Sequence, residues 1–212
     1  MMVFVEGAGR QAQSGREQTS LRQPRDLAGL LATLGDEAAD ARRWAALDLA
    51  GEQAAVTALA DRLGREPSRP VRDAIVTALA QTGGALVAAE LAKHLRSDDA
   101  AVRTTAVRGL GLVEATAALV PALLADFDSD VRVLCVMVLA SLHDTRVPGW
   151  LLGVIEHDED ANVCGCAVDV LAEVGEADMC DALTTLPSRF PNDPFLPFAV
   201  QCAIDHLSKA AA

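Results

Sequence analysis

The chain reads as an all-α protein, a right-handed α-solenoid of about six helical hairpins, and three features lead there. Apolar residues make up 51% of the 212, yet only 3% are aromatic and Tyr is absent. Ala, Leu and Val dominate, a composition that favours packed helices over strands. One apolar pattern recurs from positions 41, 71, 102, 131, 163 and 196, at intervals of 29 to 33 residues. Each recurrence has a second apolar segment upstream, stepped at three and four residues as in a helix that buries one stripe.

Taken in order, the downstream helices are ARRWAALDL, VRDAIVTAL, VRTTAVRGL, VRVLCVMVL, VCGCAVDVL and LPFAVQCAI. Eight positions after each start stands an apolar residue: Leu49, Leu79, Leu110, Leu139, Leu171 and Ile204. The upstream segments are LAGLLATL, VTALADRL, LVAAELAKHL, LVPALLADF, WLLGVI and MCDALTTL. Acids and small polar residues between the two helices supply N-caps and favourable charge at the second helix, with each cap contributing about 1 kcal/mol. Gly51, Gly83 and Gly175 follow second helices, where a stop needs positive φ. Pro121 and Pro148 fall in the first turn of first helices, where a missing N–H costs little. One hairpin cannot bury its own face, so the units stack. The expected divisions are 25–53, 54–84, 85–115, 116–145, 146–177 and 178–209, preceded by an arm or partial cap over 1–24, which lacks periodicity.

The run D-x-D-V-R-x-x-x-V-x-x-L-A-x-L at 128–142, with LVPALLADFD before it, resembles the HEAT-like repeat of the phycobilisome-lyase type. The likeness extends over roughly 25–209. It implies a protein-interaction scaffold or adaptor without catalysis, or alternatively a bilin-lyase-like chaperone that holds or attaches a tetrapyrrole. The stretch NVCGCAVDVLAEVG with RFPNDPFLPFA resembles bacterial HEAT-repeat proteins and implies a place in signalling or complex assembly.

At 100° per residue, positions 0, 4, 5 and 8 of each second helix cluster on one side and are apolar, so they form the core. Positions 2, 6 and 10 lie opposite and would line the concave surface. Most are polar, but Val133 and Met137 are apolar, with Leu112 nearby, Arg108 on one side and Asp169 and Glu173 on the other. A binding groove accounts for this spot, since apolar patches rimmed by polar groups mark interfaces and Met adapts to partners. Burial by curvature or a neighbouring loop is the other account of it.

Arg72, Arg103 and Arg132, with Arg42 equivalent, hold one slot after Val, and acids such as Asp99 and Asp130 stand at the preceding turn. The expected role is a structural ladder of charge-assisted hydrogen bonds between repeats. Cys164 takes that slot in unit five, which would free part of the neighbouring acidic cluster. Net charge is −12, and residues 151–212 hold eleven acids against two bases. That end either steers a basic partner surface or serves as a solvated face. So negative a chain is a poor nucleic-acid binder. No apolar run of membrane-spanning length and no secretory leader is read, and five cysteines fit a reducing, cytoplasmic setting.

Catalytic and metal chemistry find little footing. Cys164 and Cys166 point about 200° apart on one helix and do not readily share a metal. EHDED at 156–160 lies at a turn where capping explains its acids. His94, His143, His157 and His206 fall in different units, outside any nucleophile–His–acid pattern. No catalytic residue, cofactor or metal is assigned.

Overall fold

The structure is a computed structural model that describes residues 25–210. Its helices come in hairpins, and those described are α1 (Leu27–Thr33), α2 (Ala39–Asp48), α3 (Val56–Leu63), α4 (Arg69–Thr82), α5 (Gly84–Lys93), α6 (Ala100–Gly111), α7 (Val120–Leu124), α8 (Ser129–Leu139), α9 (Val147–His157), α10 (Ala161–Val174), α11 (Cys180–Thr184), α12 (Leu186–Arg189) and α13 (Leu196–Ala210). No strand occurs among the described residues. The expected all-α solenoid is the observed architecture.

The second helices form one continuous layer, each packed on the next: α2 on α4, α4 on α6, α6 on α8, α8 on α10 and α10 on α13. First helices form the other layer, with α3 against α5 and α9 against α11. The repeating apolar slots lie between the layers. Leu49, Leu79, Leu110 and Leu171 are fully buried, and so are Ile75, Ala106, Cys135 and Ala167 at the fourth position. Fully burying one such leucine stabilises by about 1.5–3 kcal/mol, so this periodic slot organises the array.

Helix starts are fixed as their sequences suggest. Asp99 accepts from the Ala101 amide, Asp128 from the Asp130 amide, and Asp160 from the Asn162 and Val163 amides. Asp193 does the same for α13, accepting from Phe195 and Leu196. Pro121 and Pro148 sit in the first turns of α7 and α9. Gly51 and Gly83 have φ of 85° and 64°, as a helix stop demands.

Two features differ from the expectation. Gly175 has φ −84° and ψ 177°, which is extended backbone. Glycine is needed there because a Cβ would approach the Leu171 carbonyl oxygen to 2.6 Å. The first helices of units four and six are also broken. Glu114–Ala118 is 3₁₀, after which α7 runs for five residues. There the Thr116 hydroxyl, fully buried, donates to the Leu110 carbonyl at 2.8 Å and fixes the entry to the unit. In unit six α11 and α12 part at Thr185, and Pro187, in the first turn of α12, lacks the N–H that would continue one helix through.

Candidate functional site: the second-helix ridge and its arginine joints

Positions 2, 6 and 10 of the second helices form a ridge opposite the core slots. Leu112, at the C-cap of α6, is 60% exposed, and Met137 on α8 is 44% exposed. Val133 is only half-buried and packs against the core, so it supplies the floor of the apolar spot more than its surface. Leu112 is brought towards α8 by a close helix approach. A Cβ on Gly111 would stand 2.7 Å from Cβ of Ser141, another ridge residue. Asp169 and Glu173 are exposed one unit on. Arg108 is paired with Asp73, a ridge position of the previous unit, and Arg69 also approaches Asp73. The basic edge of the spot is therefore tied down by its neighbour. Phe198, in the same register on α13, is 72% exposed.

The slot arginines lie beneath this ridge at the turns between helices. Each turns Nη1 onto carbonyls of its own turn: Arg42 onto Asp36 and Glu37, Arg72 onto Glu66 and Pro67, Arg103 onto Ser97 and Asp98, Arg132 onto Asp126 and Phe127. Two also reach the next unit. Arg42 grips Glu66 with Nε and Nη2, both at 2.8 Å. Arg132 grips Asp158 at 2.7 and 3.0 Å. The carboxylates met are thus Glu66 and Asp158, in place of Asp99 and Asp130. Asp99 is spent on capping α6, and Asp130, inside the first turn of α8, is exposed. The readable signal was an acid six residues before the slot, as at Asp36, Glu66, Asp126 and Asp158.

The missing arginine of unit five does not free the acids there. Cys164 Sγ faces the Asp158 carbonyl at 3.4 Å, and Arg189 of α12 donates to that carbonyl and to Ile155. Arg189 fills from the following hairpin what the slot lacks. Burial pushes the Cys164 and Cys166 thiols up, and drives that of Cys135 to about 12. Burial disfavours the thiolate form in each, which suits a packing role. Among the described residues no three His, Cys, Asp or Glu side chains are gathered as metal ligands.

On the first-helix layer, a cleft of about 550 Å³ lies between α7 and α9, lined by Leu124, Trp150 and Val154 and by Asp126 and Asp158. Arg146 stacks 4.7 Å over the Trp150 ring. No described helix is long and apolar enough to cross a membrane.

Two stacked helical layers built from repeating hairpins define an α-solenoid. HEAT repeats match residues 23–111 and 116–189, and the chain belongs to the HEAT-repeat family. HEAT repeats are in general protein-interaction scaffolds. No match was found among curated proteins. Solved structures to which the chain is similar include an engineered protein at 19% identity, covering 87% of this chain and 99% of that one with a TM-score of 0.39. Cex1p is similar at 14% identity, over 86% of this chain and 43% of that one, with a TM-score of 0.48. The E. coli protein YibA is similar at 14% identity over 98% and 81%, with a TM-score of 0.40.

Proposed function

We propose that the chain is a non-catalytic scaffold that binds a protein segment along the concave, second-helix ridge, with the segment's apolar side chains on Leu112 and Met137. The observation that carries this reading is the exposure of those two side chains, 60% and 44%, on a ridge that is otherwise mostly polar. Apolar side chains clustered within a polar rim are what an interface core needs. Asp169 and Glu173, exposed beside the spot, favour a partner with a basic flank. An adaptor role in complex assembly follows from such a surface.

The test is affinity capture with wild type beside Met137→Glu, with circular dichroism of both. Met137 is half-exposed, so the variant should keep its helices and lose the partner, by about tenfold or more for a contact at the centre of an interface. Undiminished capture by a folded Met137→Glu would remove the ridge from consideration. A bilin added to the same preparations probes the phycobilisome-lyase-type likeness, with a visible absorption band as its readout.

A further inference from the structure

The shared pose of the slot arginines makes one joint stand out. All four hold Nη1 on the carbonyls of their own turns, and Arg42 and Arg132 present the Nε–Nη2 edge to the next hairpin. Arg42 meets Glu66 there, 24 residues on, and Arg132 meets Asp158, 26 residues on. The counterpart for Arg72, 25 residues on, is Ser97. Arg72 is 9% exposed, and its Nε is the one buried side-chain nitrogen or oxygen without a hydrogen-bond partner among the described residues. Arg103 adds a second guanidinium, donating to the Ser97 carbonyl at 2.6 Å. Ser97 is half-buried, with its hydroxyl accepting from the Asp99 amide at 3.2 Å.

A single hydroxyl oxygen cannot answer an arginine edge as a carboxylate does, because that edge is matched by two oxygens on one atom. Carboxylate and phosphate both provide them. The neighbouring acids Asp98 and Asp99 are exposed, and Asp99 is committed to its amide, so neither supplies the missing acceptor. We propose that the joint between the second and third hairpins is a socket for one phosphate group, held by Arg72 with Arg103 beside it, in the register place where other joints carry a carboxylate. The phosphate is either an inorganic ion or a phosphoryl group on Ser97. In the second case Ser97 Oγ attacks the γ-phosphorus of a nucleoside triphosphate under a kinase-class enzyme. The bond to the bridging oxygen breaks, the nucleoside diphosphate leaves with the electron pair, and the hydroxyl proton passes to a base of that enzyme. Either source makes the stiffness of this joint conditional, while the joints at Arg42 and Arg132 are fixed by sequence.

Thermal unfolding of the full chain, in inorganic phosphate and in chloride at matched ionic strength, tests the socket. Wild type should gain roughly 2–4 °C in phosphate, saturably. Ser97→Asp should melt higher than wild type in chloride and gain nothing from phosphate, and Arg72→Gln should lose the phosphate response. Equal gains in wild type and Ser97→Asp, or an unraised midpoint for Ser97→Asp in chloride, would overturn the proposal. Mass spectrometry of the protein from its own cells separates the sources. Phosphoserine at 97, with a midpoint that falls on phosphatase treatment, identifies the covalent one. A phosphate response with unmodified Ser97 identifies the free ion, and absence of both overturns the socket.

Discussion

Glu66 fastens two hairpins through a single carboxylate. Its side chain is fully buried, it accepts from Arg42 of the preceding unit and Arg62 of its own, and it caps the Ser68 amide. Burial alone would push this carboxyl up. The hydrogen bonds from Arg42, Ser68 and Arg62 outweigh burial and hold it at about 2, against an ordinary 4.5. Because the folded-state value is depressed, the stability it contributes is fully present above pH 4.5 and is lost as pH falls towards about 2. The depression corresponds to roughly 3 kcal/mol. Denaturant titrations of wild type across that window should show this loss. Glu66→Gln should be less stable at neutral pH by about 3–5 kcal/mol, because Arg42 is left buried and unpaired, and should show a flatter acid limb. An acid limb of unchanged slope in Glu66→Gln would place the titrating group elsewhere.

At the scale of the element, the second helices were legible because each must bury the same face, so leucine returns at the same slot. The first helices of units four and six were less so. Apolar spacing does not reveal that the Thr116 hydroxyl seeks the Leu110 carbonyl, or that Pro187 divides a helix. The ladder was half-visible: the arginines repeat in sequence, but their carboxylates lie one hairpin ahead, and a spacing of 24 to 26 residues is set by stacking and not by any local period. Likewise the apolar spot was visible in Leu112 and Met137, while the capture of Arg108 by Asp73 depends on how neighbouring helices rotate. Close helix approach is the other thing the pattern hides. Gly111 admits Ser141 to a distance that no Cβ tolerates, whereas Gly149 in α9 faces open space. Gly111→Ala should therefore destabilise by about 1–3 kcal/mol through overpacking. Gly149→Ala should stabilise by about 0.5–1 kcal/mol by helix propensity alone. Urea midpoints for the two variants should move in opposite directions, and a shared direction would mean that stacking at Gly111 relaxes freely.

Among the described residues the core of the molecule falls in two clusters that meet in the fourth hairpin, at α8 and at Leu123 of α7. Val131 and Val138 belong to the first, with α2 to α6, while Cys135, Val136 and Leu139 belong to the second, with α9 to α13. Stability in a repeat array is a sum of unit terms and nearest-neighbour interfaces, so the fourth hairpin, with α8 in its second layer, transmits folding between the halves. Leu139 is 1% exposed, and Leu139→Ala should cost about 2–5 kcal/mol. The consequence depends on position. At the middle, loss of the coupling interface should let the halves unfold separately, which lowers the denaturant m-value and broadens the transition. Leu49→Ala removes an equally buried leucine near the start of the described array, where only one side has several neighbours. It should loosen the first hairpins and leave the remainder of the transition steep. Hydrogen exchange separates the cases: in Leu139→Ala, protection should fall in α8 and diverge between α4 and α10, while in Leu49→Ala it should fall in the first hairpins alone. Uniform loss of protection in both variants would mean that the array unfolds as one unit and that α8 holds no special place in it.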